Sequence, residues 1–152
     1  MDRLKGKVAV IIGAGQSPGE EMGNGRATTI RLAQEGASIL AVDLNEESGR
    51  ESLDMVGQEG IDAFTFQADV SKSESLRAAI DAAMSRWGRI DILHYNVGVS
   101  IMGGAQTLDD MTDEIFDRVN AINLRGAIMA SKFVAPIMRE QRSGAVTLVS
   151  SM

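Results

Sequence analysis

The stretch "VAVIIGAGQSPGEEMGNGRATTIRLAQEGASILAVD", Val8–Asp43, decides the fold. The apolar run Lys7–Ile12 is closed by Gly13, the pattern of a strand buried on both faces. "GRATTIRLAQEG", Gly25–Gly36, has helical spacing and stops at a glycine, as helices do. "SILAVD", Ser38–Asp43, is a second strand ending in an acid. Strand, glycine-rich turn, helix, strand and terminal carboxylate together make the pattern expected of a unit that holds the phosphates and ribose of a dinucleotide.

The glycines allow two readings. If Gly13, Gly15 and Gly19 make the phosphate loop, the helix starts near Glu20 and encloses Gly23 and Gly25. Each would then cost about 1 kcal/mol relative to alanine, and Glu20 and Glu21 would face the pyrophosphate. If the helix instead starts at Gly23–Asn24–Gly25, "QSPGEEM" (Gln16–Met22) is an excursion between strand and helix. Ser17-Pro18-Gly19-Glu20 then suits a type II turn, and the glutamates face solvent. Gly25 also stands close to the roughly 20-residue distance from Asp43 at which an acid meets the adenosine ribose. The second reading is adopted. It assigns Gly13, Gly15, Gln16, Gly23, Asn24 and Gly25 to the phosphates, and Asp43 with adjoining Leu44 to the ribose. Asp43 would repel a 2′-phosphate, so NAD is expected over NADP, while Arg26 pulls mildly the other way. The plain alternative is a tight strand–helix turn with no ligand.

Working outward, the alternation continues. "NEESGRESLDMVGQEG" is a helix that Asn45 is expected to cap, and "DAFTFQADV" a third strand. "SKSESLRAAIDAAMSRWG" carries Ser71 and Glu74 at capping-box spacing and ends at Gly88. "RIDILHYNVG" is a fourth strand. One long helix, capped by Thr112, covers "TDEIFDRVNAINLRGAIMASKFVAPIMREQ", and "GAVTLVSSM" is a fifth, buried strand. Repeated strand–helix–strand units predict an α/β fold, a doubly wound, Rossmann-like parallel sheet of five strands in a single domain over residues 1–152.

Bulk properties exclude several classes. A net charge of -6 over 152 residues argues against nucleic-acid binding, which needs a basic face. With no cysteine, disulfides and thiolate metal sites are ruled out. The apolar start is too short for a signal core or a membrane span, so a cytoplasmic location without membrane contact is expected. His94, the only histidine, lies among apolar residues without a second ligand and reads as structural. Asp109, Asp110, Asp113 and Glu114 read as acids in a helix's first turn, so no metal site is expected. Met129 and Met138 suit the packed side of the long helix.

Further short motifs carry a resemblance: "IGAGQ…GNG", Val42-Asp43, Asp69-Val70, "YNVG" (Tyr95–Gly98), "NLRG" (Asn123–Gly126) and "VSS" (Val149–Ser151). In this order they resemble the short-chain dehydrogenase/reductase family over nearly the whole chain. The departures are Ile12 in place of threonine, Tyr95 and Val97 within the fourth-strand motif, and the excursion of roughly six residues. The resemblance implies that Asp69 and Val70 contact adenine and that Asn96 and Gly98 belong to the cofactor site. It also implies that Ser151 holds the substrate oxygen and that Asn123 positions a water. By residue type alone Ser151 is an ordinary strand-end hydroxyl and Asn123 a polar interruption beside Gly126; the roles come from the resemblance. Tyr95, the only tyrosine, reads as a packing residue.

The family's chemistry also uses a tyrosine general acid/base with a lysine four residues on. Val99 stands four residues after Tyr95, and the sequence stops at Met152. The chain is therefore expected to be the cofactor-binding part of a longer protein, inactive alone, with an apolar side of the long helix left open to self-association. The leading expectation is an NAD(H)-dependent oxidoreductase acting on an alcohol or carbonyl substrate, homo-oligomeric when whole. The alternatives are a divergent enoyl-reductase-like enzyme and a non-catalytic nucleotide-binding module.

Overall fold

The computed structural model describes residues 2–17, 19, 21–57, 61–100 and 102–150. The apolar runs become five strands: β1 (Val8–Ile12), β2 (Ser38–Asp43), β3 (Ala63–Gln67), β4 (Ile92–Tyr95) and β5 (Ala145–Leu148). They form one parallel sheet in the order β3-β2-β1-β4-β5. β1 is buried at every position because it has a strand on each side and helices over both faces.

Two-residue alternation splits the core. Val10, Ile12, Leu40, Val42, Leu93 and Tyr95 pack with Leu76 and Ile80 of α3 (Ser73–Trp87) and with Ala130 and Val134 of α5 (Gly126–Gln141). Ala9, Ile11, Ile39 and Ala41 face the other way, toward Ala33 of α1 (Asn24–Gln34). The remaining helices are α2 (Glu46–Asp54), which packs on β2 and β3, and α4 (Asp113–Asn120). Chain order reverses between β1 and β4, so a crevice opens beyond their carboxyl ends, the position where sheets of this topology bind ligands.

The helix boundaries differ from expectation in three places. Asn45 occupies the first position before α2 but makes no side-chain cap bond; its N–H donates to Asp43 Oδ1 at 3.0 Å instead. Ser71 and Glu74 form no capping box, because the Ser71 hydroxyl donates to Asp69 Oδ1 at 2.6 Å and α3 begins after Lys72. The long helix is not continuous: α4 and α5 are joined by a π-helical turn, Ala121–Arg125. That turn forms where the Tyr95 hydroxyl donates to the Ile122 carbonyl at 2.7 Å. Thr112 does cap α4, accepting from the Ile115 N–H at 3.3 Å.

β5 also departs from expectation, being exposed at all four positions. It pairs with β4 only, and among the described residues α5 alone packs on it, whereas β1 has α1 and α3 on its two faces. Phe116, Leu124 and Ile128 stand 59%, 56% and 55% exposed along α4, the π turn and α5, an open apolar side of the kind anticipated. His94 lies level with Ile11 and Thr147; burial pushes its pKa down, and its Nε2 has no partner among the described residues.

At the opposite end of the sheet, Glu35 follows α1 and is buried, its Oε1 meeting Arg3 at 2.8 Å and also Arg31. The Arg3 hydrogen bond leads in holding its pKa down to about 2, from 4.5. A depressed carboxylate stabilises the fold above its unfolded pKa, and that contribution is lost as pH falls. Glu35→Gln is therefore expected to flatten the acid limb of a Tm–pH profile between about 4.5 and 2. An unchanged slope would show that this ion pair contributes nothing.

Candidate functional site

The crevice holds a cavity of about 640 Å³, within the roughly 300–1,000 Å³ range of small-molecule sites. Gly13, Gly15, Gln16, Gly23, Gly25, Asp43, Leu44, Asp69, Val70, Asn96 and Gly98 all line it. Five separate segments thus converge from across the sequence. Asn24 does not line the cavity and is exposed. Ser151 lies outside the described residues, as do Pro18 and Glu20 of the expected turn. Glu21 is exposed, as anticipated, yet it also borders the cavity with Ser17 and Gly19.

Glycine is required at three of these positions for contact reasons: Gly13, at φ 84°, has Val97 Cγ2 2.8 Å from where a Cβ would stand. A Cβ on Gly25 would collide with the Gly13 carbonyl oxygen and stand 2.9 Å from Asn96 Nδ2. One on Gly15 would stand 2.6 Å from Ser48 Oγ and 2.8 Å from Asp43 Oδ2.

The donors of the loop can be accounted for individually. The Gly13 and Ala14 N–H groups donate to the Val42 carbonyl at 2.8 and 3.0 Å. The Gly15 N–H donates to Asp43 Oδ2 at 2.9 Å, the Gln16 N–H to Ser48 Oγ at 2.8 Å, and the Gly23 N–H to Gln16 Oε1 at 3.0 Å. Gly23 gives α1 no side-chain cap. The first-turn N–H groups of α1 are thus the donors left for an anion, where the helix dipole also favours one.

Asp43 holds the sheet side of the cavity with one oxygen on Gly15 and the other on the Asn45 N–H. Arg26, expected to favour a 2′-phosphate, is turned away from the cavity. Its guanidinium donates to Ser52 Oγ at 3.0 Å and to Glu51 at 2.7 Å, and its side chain is only 12% exposed. Asp69 has its carboxylate committed to Ser71, which leads in lowering its pKa, and to Lys72 at 3.3 Å.

Asn123 does not line the cavity but controls residues that do. Its Nδ2 donates to the Val99 carbonyl and its Oδ1 accepts from the Val99 N–H, both at 2.8 Å. The carboxamide therefore fixes the loop after β4.

Sequence reasoning missed several lining residues. Val99 and Ile122 supply apolar walls and carry no signal beyond hydrophobicity. Arg118, on α4, reaches the same cavity from a helix whose spacing alone gives no hint of it.

Comparison with known proteins agrees with this geometry. The family model described as short chain dehydrogenase matches residues 7–152. Levodione reductase of Leifsonia aquatica is 38% identical over 99% of this chain and 54% of its own length. The 7alpha-hydroxysteroid dehydrogenase of Escherichia coli (strain K12) is 33% identical over 99% of this chain and 55% of its own. A solved structure of 7 alpha-hydroxysteroid dehydrogenase with NADH and 7-oxo glycochenodeoxycholic acid superposes with a TM-score of 0.86, at 33% identity, covering 99% of this chain and 55% of that one. The chain spans about half the length of the curated relatives it matches.

Proposed function

The chain belongs to the short chain dehydrogenase family, and from that premise we propose that it forms the dinucleotide-binding part of an NAD(H)-dependent oxidoreductase. The reaction is hydride transfer between nicotinamide and an alcohol or ketone. The observation that carries the NAD preference is the Asp43 carboxylate at the cavity wall, with Arg26 tied to Glu51 rather than facing the ligand. The glycine contacts and the uncapped start of α1 fit a pyrophosphate drawn close to backbone, and the relative with NADH bound makes this ligand class the one to test. When bound, the dinucleotide supplies or accepts hydride at the nicotinamide ring.

The chain's own residues then have distinct tasks. α1 neutralises the phosphates, Asp43 accepts from the ribose hydroxyls, and Asp69 with Val70 borders the adenine. Asn96 and Gly98 flank the nicotinamide end, where Asn123 holds the neighbouring Val99. Ser151 polarises the substrate oxygen. Among the described residues no helix is long and apolar enough to cross a membrane; a cytoplasmic, homo-oligomeric protein acting on a small molecule fits this reading.

The test is a paired titration of the whole protein with NADH and NADPH. NADH should bind at least about tenfold tighter, and Asp43→Ser should weaken NADH and narrow the gap. Equal affinities would overturn the NAD preference, and no binding of either would overturn the cofactor site.

A further inference from the structure

We propose that Gln16 is a positioning residue of the cofactor loop, whose carboxamide clasps the Gln16–Met22 excursion shut at its base. The proposal rests on the dinucleotide reading above. Gln16 Nε2 donates to the Glu21 carbonyl at 2.8 Å, and Gln16 Oε1 accepts from the Gly23 N–H at 3.0 Å. One side chain therefore bridges the start of the excursion to its end. Gln16 is thereby held beside Glu21 and Gly23.

The clasp is itself anchored. Ser48 Oγ accepts from the Gln16 N–H at 2.8 Å and donates to the Gln16 carbonyl at 3.3 Å. One turn along α2, buried Ser52 donates to the Ala14 carbonyl at 2.8 Å. A continuous path thus runs from α2 through Ala14–Gln16 to the N-terminus of α1. An unclasped insert would sample many conformations, and ordering it would oppose binding. Closed, it presents Ser17, Gly19 and Glu21 to the cavity as a wall beside the phosphates. The clasp also occupies the Gly23 N–H, so a phosphate must register on the first turn of α1 and not one residue earlier.

The test compares Gln16→Leu, which removes both bonds at similar size, with the wild type. NADH and ADP-ribose are titrated into the whole protein, and a glutamate-specific protease probes the insert without ligand. Gln16→Leu should raise the Kd for both ligands about tenfold, because an insert no longer held closed must be ordered before the ligand binds. Its ligand-free Tm should fall by only a few degrees, and its insert should be cleaved faster than the wild type's. An unchanged Kd in Gln16→Leu, or equal cleavage of the insert in both proteins, overturns the proposal. Wild-type protein that binds neither ligand overturns the cofactor reading instead, and the protease comparison still decides the clasp.

Discussion

Gly25→Ala is expected to abolish measurable NADH binding and to destabilise the fold by about 3 kcal/mol, the upper end of overpacking costs. The added methyl would run into the Gly13 carbonyl oxygen, and both partners are constrained. Gly13 sits at φ 84° with its N–H on Val42 at 2.8 Å, and Gly25 opens the first turn of α1. Relief means moving α1 away from β1, which removes the helix terminus from the cavity. Gly23→Ala is the matched control, because its nearest atom would be Gln16 Oε1 at 3.9 Å and its φ is -67°. That variant should lose less than about 1 kcal/mol and keep its ligand. Denaturant unfolding and NADH titration of the two proteins give the answer. A Gly25→Ala protein that binds like wild type would mean α1 does not contact the phosphates closely.

The contrast between these glycines shows what the sequence could express. Spacing to Asp43, and the cost of glycines inside a helix, were enough to start α1 at Gly23–Asn24–Gly25, where the structure begins it at Asn24. The strand pattern was legible for the same reason: β1 and β2 are buried on both faces and read as unbroken apolar runs. What spacing could not express was which side chain answers which backbone group across the fold. Ser71 stood at capping distance from Glu74, yet Asp69 is nearer to it and takes its hydroxyl. Ser48 and Ser52 look like ordinary polar positions of a surface helix, but both are buried against Ala14–Gln16. β5 reads as buried because its residues are apolar, whereas its exposure depends on what packs beside it. Arg26 was placed correctly in α1, and its bonds to Ser52 and Glu51 turn it from the cavity.

The same limit explains the break in the long helix, where the second large effect is expected. Tyr95 is 1% exposed, and burial pushes its phenol up to about 12, so the hydroxyl remains a donor to Ile122 at any working pH. Gly126 lies against it; a Cβ there would collide with that hydroxyl and stand 3.1 Å from the Val70 carbonyl. Gly126→Ala should therefore cost about 2–3 kcal/mol. Tyr95→Phe alone should cost about 1–2 kcal/mol, by removing the bond to the part-buried Ile122 carbonyl. Combined, the two should cost less than their sum by about 1 kcal/mol, because removing the hydroxyl removes the atom that the new methyl strikes. The rescue stays partial, since Val70 and the Tyr95 ring, 3.3 Å away at Cζ, still crowd the site. Denaturant unfolding of the four proteins completes the cycle, and strict additivity would mean that the hydroxyl does not set the Gly126 contact. Because Val70 and Ile122 both line the cavity, Gly126→Ala should also weaken NADH while Gly23→Ala does not. Tyr95 thus acts on the site through packing: with its hydroxyl buried and bonded to the helix backbone, it is in no position to exchange protons with a substrate.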